Sequence, residues 1–578
     1  MSNPSAQPIQ QNAQSNNAKY MSIIPENGTE FVQRQKIVFN LDPSLGWIKG
    51  RDSYLVFDIL NTSTTGVRTT LANAGISSIV KQVNIYSQHS GMLLESLNDY
   101  NKWVATELQY RYDDFGSLCA IEGCPTNMEA RGTITPNVNI PDSFNNPAVN
   151  YSLTGENRLS AINSLGQPIF SSVKYCMPLR CGIFRNWDVE QLVPILQMGG
   201  LRIELILAEN HEVLTLPWVG NDKGTQAVYS LNHMVGAAQN LFKDIAVRGS
   251  AAADPIPATG AAADVVVEIL STDINLKSCG LAVGNKLIIR GANETGGADS
   301  GELKGYISGL AMVNSRVSIT LTMIDPIANG GMKPATDTGV SQANAKIYLQ
   351  PLTESDISYR ITNAEFRLLQ EMPPDQKMKN INYTFTSYDL FRDTIPQSQV
   401  NAVSDITSVA SKAVSIFSMY SDLKYDNVAS CGHQSYYAGL SPYMKGWELN
   451  SVVYFINNKL YPLRAYNPSP KEDKVINQNE LVKAFGTLGI PVKHLGSAKG
   501  ADLDIYTNRY IHARELARSP NVFNLQNAEP QIRLGFATDR NQVNNHFGFK
   551  CVNTRMDTFV FSKKILQIDG QEGLQLIH

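Results

Sequence analysis

The sequence predicts an all-β protein built from two related domains in tandem. One strand pattern occurs twice, over Leu196–Ala208 and Leu525–Ala537, and a single offset of 329 residues (525 minus 196) aligns the copies without a gap. Apolar residues alternate with polar ones in both copies, which places the apolar set on one face of a sheet. The alternating apolar residues are Ile203, Leu205 and Leu207 in the first copy, and Ile532, Leu534 and Phe536 in the second.

Comparable segments flank the two copies in the same order. A second strand pattern follows each copy, and a strand–turn–strand–helix unit precedes each copy. Internal repetition of this kind indicates duplicated structure and outweighs any local pattern. The following strands are residues 359–369 and 557–568, the leading strands are 78–86 and 449–456, and the helices lie near 97–112 and from about Glu480.

Two helices and several further strands are predicted between these landmarks. Residues 31–41 and 53–60 are strands of the first half, and 380–386 opens the second half. The helix at 97–112 has a capping box, Ser96 with Asp99, and one apolar face. A second helical spacing covers 403–422 and predicts core packing, or else a partner surface. The two apolar stripes are Leu97, Tyr100, Val104 and Leu108, and Ile406, Val409, Ala410, Ala413 and Phe417.

The first half carries an insertion of roughly 130 residues between its paired strands, because Ala208 and Tyr359 are far apart whereas Ala537 and Phe559 are close. Insertions are tolerated at loop tips, so a small β-rich protrusion over about 215–350 is expected. Its predicted strands are 265–270, 286–289, 305–307, 317–322 and 346–349. The expected domains are a flexible N-terminal arm at 1–22, a first domain at 23–372 that contains the protrusion, and a second domain at 373–578.

The composition excludes several functional classes. Charged residues make up 17% of the 578, against about 25% in ordinary soluble proteins. A net charge of −3 argues against nucleic-acid binding, which needs a basic stripe. No apolar stretch is long enough for a transmembrane segment. The polar start lacks a secretory signal, and an odd count of seven cysteines fits synthesis in a reducing intracellular compartment.

No group of residues in the sequence forms a recognisable catalytic or metal-binding motif. The pairs Cys119 with Cys124 and Cys176 with Cys181 have the loose spacing of some zinc ligands, but free or buried thiols are the simpler interpretation. His211 lacks the second histidine of a zincin motif, and His433 near Cys431 only weakly suggests a nucleophile pair. No phosphate-binding loop or nucleophile elbow occurs. We therefore expect no catalytic, cofactor-binding or metal-binding residues.

The order of several short segments resembles double jelly-roll major capsid proteins, in particular those of virophages and Polinton-like viruses. The resemblance covers nearly the whole chain apart from the N-terminal tail and the insertion. The segments that carry it are Ile23–Asn27, Lys36–Phe39, Tyr54–Phe57, Met177–Phe184, Leu192–Pro194, Leu201–Ala208 and Tyr359–Glu365.

The resemblance implies two eight-stranded jelly rolls standing side by side, and a homotrimer with a pseudo-hexagonal outline. Such trimers tile an icosahedral shell around a double-stranded DNA genome. Neighbouring capsomers, penton proteins and minor capsid proteins would be the partners, and the virion capsid would be the location. The implied function is structural, with no substrate, no turnover and no cofactor.

Two alternative functions are also compatible with the sequence. A carbohydrate-binding or carbohydrate-active β-sandwich would share the fold class, since jelly rolls host such proteins too. An enzyme of that kind needs two carboxylates across a cleft, for which Asp113, Asp114 and Glu371 qualify by residue type only. A vertex or minor capsid protein is the other alternative, although those commonly carry a single jelly roll.

Overall fold

The structure is a computed structural model of the chain. It describes residues 18–62, 70–71, 74–111, 121–123, 160–162, 168–170, 172–180, 182–184, 192–215, 245–248, 264–269, 286–290, 302–313, 316–323, 346–350, 358–371, 380–396, 399–408, 410–422, 449–457, 459–466, 474–492, 511–516, 524–526, 528, 530–536, 554–569 and 573–577.

The first half forms a sandwich of two antiparallel sheets. When its eight main strands are lettered B to I in chain order, one sheet runs B-I-D-G and the other C-H-E-F. This strand order defines a jelly roll, in which two Greek keys close over one apolar core. The strands are β1 (Lys19–Ile23), β3 (Lys36–Leu41), β5 (Tyr54–Asn61), β7 (Val80–Ser87), β8 (Leu93–Asn98), β11 (Val173–Pro178), β13 (Leu201–Leu207) and β21 (Tyr359–Gln370).

The second half repeats the arrangement with eight consecutive strands. They too pair as B-I-D-G and C-H-E-F. The prediction of an all-β chain with tandem jelly rolls is confirmed. The strands are β22 (Asn380–Ile395), β23 (Asn401–Asp405), β24 (Ala413–Asp422), β25 (Leu449–Ile456), β26 (Lys459–Tyr466), β27 (Ile511–Glu515), β28 (Gln531–Phe536) and β29 (Thr554–Asp569).

The repeated strand pattern of the sequence forms strand H in both halves. Leu205 of β13 lies opposite Val83 on strand E, and Leu534 of β28 lies opposite Val452 on the equivalent strand. The offset of 329 residues therefore preserves the register of the sheet as well as the sequence pattern. Leu205 and Leu534 are buried, because alternation turns both inward.

The insertion forms a separate antiparallel sheet of six strands, in the order β15-β16-β19-β18-β17-β20. Its strands lie in the connection between strands H and I of the first half, and they overlap the five segments expected to be strands. The strands are β15 (Ile245–Arg248), β16 (Asp264–Ile269), β17 (Lys286–Arg290), β18 (Glu302–Val313), β19 (Arg316–Met323) and β20 (Lys346–Gln350).

Shorter elements complete the described chain. Three 3-10 helices, at Pro43–Leu45, Gly50–Asp52 and Gly75–Ile79, join strands of the first half. The helices are α1 (Tyr100–Arg111), α2 (Asn210–Val213) and α3 (Lys474–Gly486). The remaining strands are β2 (Glu30–Phe31), β4 (Trp47–Lys49), β6 (Thr70–Leu71), β9 (Ser160–Ile162), β10 (Pro168–Phe170), β12 (Leu192–Pro194), β14 (Leu214–Thr215) and β30 (Gly573–Ile577).

The helix predicted over 403–422 is wrong, since these residues contribute to strands β23 and β24. The apolar residues at helical spacing instead belong to different cores. Ile406 and Ala410 lie in the core of the second jelly roll, whereas Phe417 faces the first jelly roll. The helical spacing was therefore a coincidence of two short strands and the turn between them.

Three smaller predictions also need correction. The flexible arm was predicted to reach residue 22, but Lys19–Ile23 pairs with Phe366–Gln370 of β21 and is strand B. Residues 1–17 lie outside the described part of the chain. The capping box is absent because Ser96 lies in β8 and its hydroxyl donates to Asn84. Helix α3 begins at Lys474, earlier than predicted.

The equivalence of the two H strands predicts a matched response to mutation. Leu205→Ala and Leu534→Ala should each lower the free energy of unfolding by about 2–5 kcal/mol, because each leaves a cavity in a sandwich core. Arg202→Ala and Arg533→Ala, at exposed positions of the same strands, should cost much less. Urea denaturation of the four variants measures this. Equal losses at all four positions would contradict the inward assignment.

Candidate functional site: the seam between the jelly rolls

Helix α1 lies between the two jelly rolls and is buried along almost its whole length. Tyr100, Val104 and Leu108, the predicted apolar face, are each fully buried, and the helix packs on strand β7 and the 3-10 helix before it. Lys102 and Trp103, outside this stripe, are also buried, and both contact the second jelly roll. We call the contact of α1 with the second jelly roll the seam.

Trp103 is the centre of the seam. Its ring packs among aromatic residues of strands B, D and I of the second jelly roll and of helix α3. Aromatic pairs attract one another at centroid distances of about 4.5–7 Å, beyond the effect of the area they bury. The centroid distances from Trp103 are 4.4 Å to Phe561, 5.1 Å to Phe417, 5.7 Å to Phe559, and 6.1 Å to both Tyr388 and Phe485.

The seam joins the core of the first jelly roll to the outer face of the second. Phe417 and Phe559 belong to one continuous apolar cluster with the whole first core. Their strand neighbours Ile416 and Val560 point the other way, into the separate core of the second sandwich. The BIDG sheet of the second jelly roll is therefore buried on both faces.

Buried charges cross the seam beside Trp103. The ammonium of Lys102 lies 2.7 Å from a carboxylate oxygen of Asp557, and both side chains are almost fully buried. Asp557 also accepts hydrogen bonds from Arg392 and Arg555, at 2.9 and 3.0 Å. Breaking a buried pair by removing one partner costs several kcal/mol, roughly 3–5, because the other charge stays buried and unpaired. The charges therefore fix the register of the two jelly rolls.

Asp99, just before α1, ties the same cluster to the first jelly roll. It is buried, pairs with Lys81 at 2.9 Å and with Arg392, and has a left-handed backbone, with φ at 48°. Such a conformation costs a non-glycine residue about 1–3 kcal/mol and persists where the surroundings hold it. Burial alone would raise the pKa of Asp99, but Lys81 and Arg392 lower it below its ordinary value. The carboxylate is therefore charged where the helix begins.

A second group of contacts closes the seam where strand G of the first jelly roll ends. Glu95 accepts hydrogen bonds from the backbone N–H groups of Gly182 and Ile183, at 2.9 and 3.1 Å. Burial raises the pKa of Glu95, and those two N–H groups oppose the rise. A Cβ on Gly182 would overlap the carbonyl oxygen of Thr386 on strand β22. Glycine is thus required for the backbones of the two jelly rolls to approach so closely.

Hydroxyl groups of the second jelly roll also bond to the backbone of the first. Tyr383 donates to the carbonyl oxygen of Ile183 at 2.5 Å, and Tyr388 donates to that of Asn98 at 2.9 Å. Both tyrosines lie on strand β22, next to the first jelly roll. Apolar packing, ion pairs and hydrogen bonds therefore all cross the same seam.

A buried histidine links the two sheets of the second jelly roll. His512 on strand β27 shares hydrogen bonds with the hydroxyls of Tyr420 and of Tyr454, the latter at 2.8 Å. Tyr420 belongs to the same BIDG sheet, whereas Tyr454 belongs to the CHEF sheet. Burial lowers the pKa of His512 to about 3, so the ring is neutral in the folded protein.

Most of the residues considered for chemistry lie outside the described part of the chain. Cys176 is a free thiol on strand β11, and burial raises its pKa. The other six cysteines, and also Asp113, Asp114 and His433, lie outside the described residues. Glu371 follows strand β21, where its N–H donates to Trp47. Among the described residues, no three His, Cys, Asp or Glu side chains could hold a metal ion.

The seam was not predicted from the sequence, although the sequence contains two signals of it. A tryptophan stands on the otherwise polar face of the predicted helix at 97–112. Strand β29 contains the unbroken apolar run Phe559–Phe561 in place of alternation, which is typical of a strand buried on both faces.

No protein-family model and no curated protein matches the sequence. The fold is similar over nearly the whole chain to the cryo-EM structure of the Sputnik virophage, with 10% sequence identity, a TM-score of 0.45, and coverage of 100% of this chain and 92% of that one. It is also similar to the mavirus major capsid protein, with 9% identity, a TM-score of 0.43, and coverage of 100% of this chain and 97% of that one. The Faustovirus major capsid protein is similar at 8% identity and a TM-score of 0.43, with coverage of 98% of this chain and 93% of that one.

The chain is a double jelly roll. The strand order of each half, B-I-D-G against C-H-E-F, establishes this fold. No helix in the described ranges is long and apolar enough to span a membrane.

Removing Trp103 should uncouple the jelly rolls. Trp103→Ala should lower the free energy of unfolding by about 3–5 kcal/mol and split one cooperative thermal transition into two, since the shared cluster loses its centre. Trp47→Ala is the matched control, because Trp47 is a buried residue of the first jelly roll outside the shared cluster. Calorimetry distinguishes the variants. A single transition in Trp103→Ala would mean that the halves remain coupled without this ring, and would contradict the central role given to Trp103.

His512 should make the second jelly roll sensitive to acid. The folded-state pKa of about 3 lies below the ordinary value of 6.5, so the unfolded chain takes up a proton first as the pH falls. The contribution of His512 is fully present above about pH 6.5 and is lost at up to about 1.4 kcal/mol per pH unit towards pH 3.

The variant His512→Gln tests this because an amide can bond to both tyrosines but does not titrate in this range. Urea denaturation at pH 7 and pH 4 should show a smaller loss of stability on acidification in the variant than in the wild type. An identical loss in both proteins would mean that His512 is not responsible.

Proposed function

We propose that this chain is a viral major capsid protein that assembles as a homotrimer. The observation that carries the proposal is the seam, which fixes two complete jelly rolls side by side in one chain. A trimer of such chains contains six jelly rolls and has a pseudo-hexagonal outline. Tiles with that outline cover the faces of an icosahedral shell, here proposed to enclose a double-stranded DNA genome.

The composition supports a protein that packs closely against copies of itself. With 17% charged residues, the chain has fewer charges than an ordinary soluble protein, and interface cores are depleted in charged residues. Closed jelly rolls also leave few sheet edges for unwanted pairing. In this proposal the function is geometric, and no residue acts as a catalyst.

We propose a domain division into residues 19–372 and 373–578, in which the first boundary moves from residue 23 to the start of strand B, with the protrusion over about 215–350 in the first domain. Two features support it: β22–β29 alone form the second sandwich, and β15–β20 form a sheet of their own. A sheet inserted between strands H and I lengthens one end of the jelly roll. We propose that it projects from the outer surface of the capsid.

The proposed partners follow from the capsid role. Neighbouring trimers would contact one another side by side, and penton and minor capsid proteins would fill the vertices and junctions. We propose the virion capsid as the final location, after synthesis inside the host cell. For the alternative role, a carbohydrate-binding or carbohydrate-active protein, only Glu371 of the three candidate carboxylates lies in the described part of the chain.

Native mass spectrometry and electron microscopy of the purified protein test the proposal. The expected mass is that of three chains, and the expected particles have a pseudo-hexagonal outline or form shells. A trimer gains stability with concentration, so measurements should cover the micromolar range. A monodisperse monomer across that range would contradict the capsid role.

A further inference from the structure

A buried lysine on the last main strand of the second jelly roll faces an aspartate on the first strand. Lys564 belongs to strand β29 and Asp389 to strand β22, and the Lys564 ammonium nitrogen lies 3.3 Å from a carboxylate oxygen of Asp389. The two strands are neighbours in the BIDG sheet, and the two residues are 175 positions apart in the chain. A link between these side chains would therefore join the two ends of the jelly roll.

The register of the two strands explains how Lys564 reaches Asp389. Both residues lie on one face of the sheet, in cross-strand pairs that are separated by a single pair on that face. The intervening pair is Ser387 with Ser562, and both serines are buried. Small side chains at this position leave room for the aliphatic stem of the lysine to lie along the sheet towards the aspartate.

The Lys564 ammonium is poorly satisfied as an ion. Its side chain is 5% exposed, and within the described ranges Asp389 is its one hydrogen-bond partner, at a distance longer than most N–H···O hydrogen bonds. An ammonium group has three N–H donors, and the hydroxyls of Ser387 and Ser562 accept from none of them. A buried charge without a full set of partners is costly, so loss of the charge would be favourable here.

A second buried carboxyl lies near the pair. Glu95, on strand β8 of the first jelly roll, is almost fully buried. Burial raises the pKa of Glu95 above its ordinary value, and the charge of Lys564 is among the effects that oppose the rise. A carboxyl whose protonated form is favoured in this way can donate and accept protons for reacting neighbours.

We propose that Lys564 and Asp389 form an intramolecular isopeptide bond, which links strand β29 covalently to strand β22. The ammonium first gives up a proton, and the neutral nitrogen attacks Cγ of Asp389. A C–N bond forms there, and one C–O bond of the carboxyl breaks. The leaving oxygen departs as water with two of the three ammonium protons, and the third stays on the new amide. Atoms and charges balance, and no oxidant, reductant or co-reactant is needed.

The folded structure supplies the proximity that this reaction lacks in solution. It holds the lysine nitrogen 3.3 Å from an oxygen of the carbon that is attacked, and groups held in this way react as if at very high concentration. The Asp389 side chain is 35% exposed, which gives the released water a path out.

The bond would prevent strands B and I of the second jelly roll from separating. A cross-link that closes a long loop restricts the unfolded chain, as a disulfide does, and thereby stabilises the fold. The inference goes beyond the proposed capsid role and does not depend on it, because both residues belong to one chain.

Mass spectrometry of the full-length protein after acid denaturation tests the proposal, because denaturation separates an ion pair but does not break an amide. The wild-type protein should weigh less than its sequence by one water molecule. Proteolysis should give a branched peptide that contains both Lys564 and Asp389. Recovery of these residues only in separate, unlinked peptides would overturn the proposal.

Three variants identify the atoms of the bond. Lys564→Arg keeps the positive charge but should show its full sequence mass and give no branched peptide. Asp389→Asn should form the same amide with loss of ammonia in place of water, so its mass should equal that of the linked wild type. Lys563→Arg is the matched control, because Lys563 is the adjacent lysine of β29 and lies on the opposite face. This variant should still lose one water.

The wild-type measurement decides the question even where a variant folds poorly. Full sequence mass and unlinked peptides in the wild type would show an ion pair only. A branched peptide that persists in Lys564→Arg would place the link at another residue, and would equally overturn the proposal.

Discussion

The structure depends on one contact, the burial of an aromatic sheet face of the second jelly roll beneath helix α1 of the first. Without that cover, Phe417, Phe559 and Phe561 would expose a large apolar surface, which soluble proteins avoid. The helix supplies Trp103 for the apolar contact and Lys102 for Asp557. Apolar burial provides the stabilising free energy, and the buried charges allow only one register, because any other would leave them unpaired.

Because of this contact, the two duplicated jelly rolls do not behave as independent domains. Two jelly rolls joined only by a linker would move independently, since interfaces between domains are ordinarily small and polar. Here the core of the first jelly roll continues through the seam, and Gly182 permits direct backbone approach to β22. The two halves therefore form one block, in which the angle between the jelly rolls is fixed. The capsid role proposed above requires such a fixed angle.

The sequence predicted what depends on local pattern and order. The two H strands were found because alternation and offset survive duplication, and the insertion was found because it lengthens one interval. A helix was wrongly predicted at 403–422, because apolar residues from two strands and a turn happen to lie at helical spacing there. The seam could not be predicted from local patterns. Lys102 and Asp557 are 455 residues apart, and no local sequence pattern indicates that they form a pair. Only the tryptophan on the polar face of α1 and the unbroken apolar run in β29 hinted at it.

Contacts across the seam, and not the covalent connection, keep the two jelly rolls together. The most direct test is to co-express residues 1–372 and 373–578 as separate chains and weigh the product by native mass spectrometry. The account predicts a 1:1 association of the two fragments in every particle, with the second fragment insoluble when expressed alone, because its aromatic face is then uncovered. Two soluble fragments that purify separately and do not associate would contradict it.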